Sequence, residues 1–187
     1  MQAIALARDD VPGLRLVLTG SGPYLPSVFE LAAELGVEDI VEHHEWLELP
    51  ALAAALARSD VGIVAQRANA YSHLVNTNKM FEYLMLGIPA LCTRLRATER
   101  LLPSEADVVR YFESDDAEGL AGLLRELAHD GAARRSLSER GREVWATLGT
   151  DGQRRRYHSA IARARLARRW GRPPTRTGAA EGVTPSS

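Results

Sequence analysis

Residues 78–93 read NKMFEYLMLGIPALCT, and this stretch decides the fold class. A helix is predicted at 78–86, and Gly87-Ile88-Pro89 ends it. The short apolar run at 89–93 is typical of a strand that is buried on both faces. The stretch therefore predicts a helix followed directly by a buried strand.

The same alternation extends along the chain in both directions. Helices are predicted at 1–10, 27–35, 49–58, 78–86 and 116–129, and strands at 14–18, 39–43, 60–65, 89–93 and 108–112. Gly36 and Pro50 stand where a helix cap and a first-turn proline are expected. Short strands alternating with helices indicate a parallel sheet covered on both faces, which is the doubly wound, Rossmann-like α/β class.

The bulk properties of the chain exclude several classes of protein. Its 187 residues suffice for one domain, and its formal net charge of −1 gives no general attraction for nucleic acid. The single cysteine, Cys92, lies in an apolar run and is expected to be a buried small side chain. No apolar run approaches the roughly 20 residues of a membrane span, and Met1 opens no signal peptide, so we expect a soluble, cytoplasmic protein.

Composition divides the chain into three parts. Residues 1–150 hold the predicted sheet, 151–170 are predicted to form a basic helix rich in arginine, and 171–187 are rich in Pro, Gly, Thr and Ser. We expect the last part to be disordered. The basic helix is expected to be solvated or packed against a domain, with peripheral membrane contact as the alternative.

Two glycines, Gly20 and Gly22, follow the first predicted strand and precede a helix. Glycine there permits a tight turn and the close approach of a ligand to the backbone. A dinucleotide fingerprint would need a third glycine near the position of Leu25, so a dinucleotide cofactor is not expected. A purely structural turn explains the pair equally well.

The loop at 71–79 follows the third predicted strand, at the carboxyl edge where open α/β sheets bind ligands. It enters a helix at Asn78, whose free N–H groups and partial positive charge suit a diphosphate. Lys79, the chain's single lysine, opposes the helix dipole there, and an anionic ligand would remove that conflict. A solvated surface lysine is the alternative.

Glu82 lies three residues after Lys79, on the same face of that helix. Its carboxylate can accept hydrogen bonds from two vicinal hydroxyls, such as those of a ribose. A surface ion pair with Lys79 is a comparable interpretation of the same spacing.

A metal site is one possible role for His43, His44 and Glu45. Neighbouring side chains on a strand point to opposite faces, so shared ligation by the two histidines is not expected. We expect these residues and Trp46 to line the ligand-binding edge of the sheet instead.

The order of these motifs resembles that of a known family. The motifs are the Gly20-Ser21-Gly22-Pro23 turn, Gly36, ARSDV at 57–61, KMFEY at 79–83 and GIP at 87–89. In order and spacing, from about residue 3 to about 141, they are similar to the C-terminal, donor-binding domain of family 4 glycosyltransferases, which have the GT-B fold.

The resemblance implies that the chain binds a nucleoside-diphosphate sugar and that a hexosyl group is transferred with its anomeric configuration retained. We expect no metal or other cofactor. It implies that Glu82 holds the donor ribose and that the loop at 73–78 donates backbone N–H groups to the diphosphate. Asn76, Thr77 and Asn78 belong to that loop. Glu45 and Trp46 are implied to lie near the base.

Three features depart from the family's pattern. The first of two family glutamates would fall at Leu74, as in a subgroup that lacks it. The family's domain also begins with a strand that ends in glycine and is followed by an arginine-lysine pair, whereas this chain starts inside the next helix. The acceptor domain is missing too, so we expect a truncated or split enzyme that is inactive or weak alone.

The missing strand would be central in the strand order 3-2-1-4-5-6. Its neighbours, predicted at 14–18 and 60–65, would then have unpaired backbone groups. We expect these two strands either to pair directly or to leave a slot that another chain must fill. A complete central strand drawn from residues 1–10 would contradict this interpretation.

Two other functions stay open. One is a non-catalytic nucleotide-sugar-binding subunit that joins a separate acceptor-domain chain. The other is a doubly wound domain of flavodoxin or regulator type that binds another phosphate ligand.

Overall fold

A computed structural model describes residues 1–149, in which Met1–Ala146 form one compact unit. The strands are β1 (Leu16–Thr19), β2 (Val41–His44), β3 (Gly62–Val64), β4 (Ala90–Thr93) and β5 (Arg110–Phe112). The α-helices are α1 (Gln2–Ala7), α2 (Leu25–Glu34), α3 (Leu49–Ala57), α4 (Asn78–Leu86), α5 (Arg96–Leu101), α6 (Ala117–His129) and α7 (Gly131–Leu148). The predicted basic helix at 151–170 and the tail at 171–187 lie outside the described residues.

The predicted α/β class, with parallel strands and intervening helices, is confirmed. α4 begins and ends where the sequence places it, and Gly36 has a φ of +64° after α2, as expected of a left-handed cap. The strand predicted at 39–43 is shorter, because Glu38–Ile40 form a 3-10 helix before β2. α5 is a helix that the sequence did not predict.

The five strands form two parallel sheets rather than one. β1 pairs with β2 in one, and β4 lies between β3 and β5 in the other. β1 and β3 do not pair, so the expected direct pairing is wrong. Residues 2–7 form α1, so no central strand comes from the first ten residues. The expectation of a slot between β1 and β3 agrees with this arrangement, and its filling by another chain stays a prediction.

One hydrophobic core underlies both sheets. α1 packs against α6 through Ala3, Ile4 and Ala7, which are buried with Leu91 of β4. The partly buried side chains of β1 and β3 pack against the same cluster, which holds the two strands through side-chain contacts although their backbones are not bonded. Cys92 is 1% exposed, as expected, and burial raises the pKa of its thiol to about 12.

Two glycines fix the position of α4. Gly87 has a φ of +69° and caps the helix, so that the Ile88 N–H donates to the Tyr83 carbonyl at 2.8 Å. A Cβ at Gly62 would lie 2.5 Å from the Tyr83 ring, so the bare backbone of β3 lets that ring pack closely. Because the C-terminal part of α4 lies beside the start of β3, its N-terminus lies toward the carboxyl end of that strand.

Among the described residues, no helix is both long and apolar enough to cross a membrane.

Candidate ligand-binding site

The loop that connects β3 to α4 is held in shape by its own side chains. Asn69 Oδ1 accepts the backbone N–H groups of Tyr71 and Ser72, each at 2.9 Å. The buried Ser72 hydroxyl donates to the Arg67 carbonyl at 2.9 Å. The loop is therefore an ordered support for the residues that follow it.

The last part of this loop is attached to α5. Asn76 Oδ1 accepts a hydrogen bond from the Thr98 hydroxyl at 3.0 Å. His73 Nδ1 accepts the Arg96 backbone N–H at 3.3 Å. α5 thereby positions the segment that leads into α4, although this helix was not predicted from the sequence.

The N-terminus of α4 has no side-chain cap. Thr77 takes the capping position with extended backbone, yet its hydroxyl makes no capping bond. Its Oγ1 is buried and has no hydrogen-bond partner among the described residues. A buried polar group without a partner costs about 1–3 kcal/mol. An anionic ligand here would satisfy both this hydroxyl and the free N–H groups of the first turn.

Lys79 and Glu82 follow on the first turns of α4, with Lys79 exposed and Glu82 half-buried. In the described part of the chain, neither side chain takes part in an ion pair within 4.0 Å. The Lys79–Glu82 ion pair, which was one interpretation of their spacing, is thus absent from this structure. Burial and the nearby charge of Glu82 raise the pKa of the Tyr83 phenol.

A second group of predicted residues lies at the carboxyl ends of β1 and β2. Gly20 has a φ of +113°, and a Cβ there would meet nothing within 4 Å. Gly22 also faces open space. The turn therefore needs glycine at position 20 for its backbone conformation and leaves room above it.

The two histidines of β2 have separate partners. His43 Nε2 lies 2.8 Å from the Gly20 carbonyl oxygen, and its ring meets the Phe29 ring edge-on at 5.5 Å. His44 Nε2 lies 2.8 Å from a carboxylate oxygen of Glu42. No group of three or more His, Cys, Asp or Glu within residues 1–149 is arranged to hold a metal ion.

Beyond the histidines, Glu45 and Trp46 are exposed, with Trp46 at 81%. The structure thus leaves the predicted site residues in two groups. One follows the first sheet and comprises Gly20, Gly22, Glu45 and Trp46. The other opens α4 and comprises Asn76, Thr77, Asn78, Lys79 and Glu82. Within the described chain, no side-chain hydrogen bond, ion pair or ring contact joins the two groups.

A groove of about 550 Å³ lies between the loop and α5. Arg96 and Arg100, one helical turn apart, line it together with His73, Asn76 and the exposed Leu74. Sequence reasoning missed this groove because it did not predict α5. The four-residue spacing of Arg96 and Arg100, which is typical of one face of a helix, was a feature of the sequence that could have indicated it.

The sequence matches a family model described as glycosyl transferase-like over residues 2–165. The chain belongs to this family. This glycosyl transferase-like protein is 30% identical over 142 residues to the lipopolysaccharide core biosynthesis glycosyltransferase LpsE of Rhizobium meliloti (strain 1021). That match covers 75% of the chain but 38% of LpsE, so the chain spans well under half the length of this relative.

Two solved structures show the same fold. The C-terminal domain of the glycosyl transferase group 1 protein LpcC from Francisella tularensis superposes with a TM-score of 0.63, at 15% identity over 78% of this chain and 75% of that one. HepE from Anabaena, solved in complex with UDP, gives a TM-score of 0.60 at 14% identity, over 83% of this chain and 44% of that one. The glycosyl transferase-like chain therefore has the fold of a GT-B glycosyltransferase domain.

Proposed function

We propose that this protein binds a nucleoside-diphosphate sugar and acts as the donor-binding half of a retaining hexosyltransferase. The observation that carries the proposal is the uncapped start of α4, where the unpartnered Thr77 hydroxyl and free N–H groups meet. A diphosphate supplies the acceptor oxygens that this place lacks. The UDP bound to HepE, a protein of the same fold, supports a nucleotide as the ligand.

The proposal gives each nearby side chain a role. The N–H groups at 76–78 donate to the diphosphate, and Lys79 adds a positive charge to which phosphate oxygens are attracted. Glu82 accepts hydrogen bonds from the ribose hydroxyls. Because the helix N-terminus and Lys79 already supply positive charge, the donor binds without a metal ion.

Titration calorimetry with UDP-glucose and GDP-mannose tests donor binding. Glu82→Gln is expected to weaken binding by roughly 10-fold to 100-fold, since a charged hydrogen bond contributes about 1.5–3 kcal/mol. Glu139→Gln, at an exposed acid on α7, is the matched control and is expected to leave affinity unchanged. Absence of binding to both nucleotide sugars would favour a domain for another phosphate ligand.

We also propose that transfer requires an acceptor-binding half from outside residues 1–149. The proposal rests on LpsE, of which the chain covers 38%. A glycosyl-transfer assay on the purified chain is expected to show little or no turnover while donor binding persists. Robust turnover by the chain alone would contradict this part of the proposal. Donor binding with no transfer in any pairing with acceptor-domain proteins would favour a non-catalytic binding subunit.

A further inference from the structure

The groove between the loop and α5 is lined by polar side chains whose acceptor atoms already have a donor. Asn76 Oδ1 accepts the Thr98 hydroxyl, which leaves the amide N–H groups of Asn76 as donors. His73 Nδ1 accepts the Arg96 backbone N–H, so the neutral ring carries its own proton on Nε2. Asn76 and His73 both line the groove. Their contacts with α5 therefore leave donors as the polar groups that a ligand meets.

Two arginines add positive charge to the same groove. Arg96 and Arg100 are exposed, lie one turn apart on α5 and line the groove together. Among the described residues, neither guanidinium has a hydrogen bond or an ion pair. Most other arginines in this part of the chain hold a carboxylate or a carbonyl, as Arg94 and Arg125 do. Two guanidinium groups at this spacing can donate together to one oxyanion.

The other residues around the groove do not neutralise this charge. None of the described residues that line the groove is acidic. Glu99, the acid of α5, pairs with Arg94 instead. Leu74, Ala97 and Leu101 complete the lining with apolar surface. Donors and positive charge beside an apolar wall suit the acidic group and the C–H faces of a sugar acid, and about 550 Å³ is a usual volume for a small ligand.

The groove adjoins the place where the diphosphate is proposed to bind. Asn76 lines the groove, and the next residue, Thr77, takes the capping position of α4. α5 follows β4 of the second sheet, whereas Glu45 and Trp46 follow β2 of the first. A nucleotide sugar with its base near the first sheet and its diphosphate at the start of α4 therefore has its sugar on the side of α5.

We propose that the groove binds the acidic group of a saccharide, a carboxylate or a phosphate, beside the donor diphosphate. This inference rests on the proposed function and adds to it that a substrate of the site is acidic. The acidic group belongs either to the sugar of the donor or to the acceptor that meets this sugar. Both sources offer the oxyanion that Arg96 and Arg100 recognise, and two binding measurements separate them.

Calorimetry on the full chain tests the donor as the source. UDP-glucuronate is compared with UDP-glucose, or GDP-mannuronate with GDP-mannose where guanosine is the base that binds. If the donor carries the acid, the uronate is expected to bind at least about tenfold more tightly, because charged hydrogen bonds are among the stronger ones. The double variant Arg96→Gln, Arg100→Gln is expected to lose this preference. Arg135→Gln, at an exposed arginine of α7, is the matched control and is expected to keep it.

A second titration tests the acceptor as the source. Glucose 6-phosphate, glucose and inorganic phosphate are each added to the chain saturated with the nucleoside diphosphate, and amide NMR signals are followed. If the acceptor carries the acid, glucose 6-phosphate is expected to shift the signals of Asn76 and Arg96, and glucose is not. The double variant is expected to show no such shift.

Three outcomes would overturn the proposal. They are no preference for the uronate together with no response to glucose 6-phosphate, a preference or response that persists in the double variant, and a response to inorganic phosphate as large as that to glucose 6-phosphate. Each can occur while a neutral nucleotide sugar binds, in which case the proposed function stands. Absence of binding to every nucleotide sugar tested would instead overturn the proposed function, and this inference with it.

Discussion

Thr77 is a residue at which we expect stability and ligand binding to be opposed. Its buried hydroxyl has no partner in the described structure, so Thr77→Val removes a polar group that the free chain leaves unsatisfied. We expect this change to raise the free energy of unfolding of the free chain by about 1 kcal/mol and to weaken UDP-glucose binding. Urea denaturation and calorimetry measure the two effects, and Thr77→Ser, which keeps the hydroxyl, is the control. A loss of stability together with unchanged affinity would assign the hydroxyl a structural role instead.

Gly87 is a residue whose replacement acts through the backbone. It has a φ of +69°, and a Cβ there would meet the Arg142 guanidinium. Gly87→Ala is therefore expected to lower the free energy of unfolding by about 1–3 kcal/mol. Gly122→Ala is the matched control, because Gly122 lies inside α6 with open space around it, and it should stabilise by about 0.5–1 kcal/mol. Thermal unfolding of both variants measures these changes in stability. An unchanged stability of Gly87→Ala would contradict the expected backbone strain.

At the scale of the element, the burial of β4 makes the stability of the chain depend on pH. Burial raises the pKa of the Cys92 thiol from 9.0 to about 12, and burial also raises that of Tyr111. The folded state keeps the thiol protonated while the unfolded chain releases the proton near pH 9. The contribution of Cys92 is thus fully present below pH 9.0 and is lost as the pH rises toward about 12. We expect the urea midpoint to fall over this range, less steeply in Cys92→Ala. A midpoint that is constant between pH 9 and 12 would contradict the assignment.

The elements also show what the sequence can predict. α4 was predicted to the residue because Gly87 and Pro89 end it by backbone chemistry, which is local. α5 was missed because RATERL has no apolar period, and its place is set by contacts with Asn76 and His73. Burial of the Thr77 hydroxyl also depends on the packed chain. Lys79 and Glu82 were identified as candidate site residues from their spacing on the helix. That they form no ion pair with each other could be seen only in the structure.

At the scale of the whole molecule, the two groups of candidate ligand-binding residues are carried by different sheets. Gly20 follows β1, and β3 leads into the loop before α4, so the two groups are positioned by strands whose backbones do not pair with each other. Leu16 of β1 and Ile63 of β3 pack against the core that α1 and α6 share, which sets the position of one group relative to the other. The proposed nucleotide sugar, which would contact both groups, is therefore expected to stabilise this arrangement.

This arrangement has a measurable consequence, because a ligand that binds only the folded chain stabilises it. We expect UDP-glucose at about 100 times its Kd to raise the free energy of unfolding by about 2.7 kcal/mol. Urea denaturation with and without UDP-glucose measures the increase. Glu82→Gln at the same ligand concentration is the control, in which a smaller increase is expected because the variant binds more weakly. An equal increase in both proteins would contradict a contact between Glu82 and the ligand.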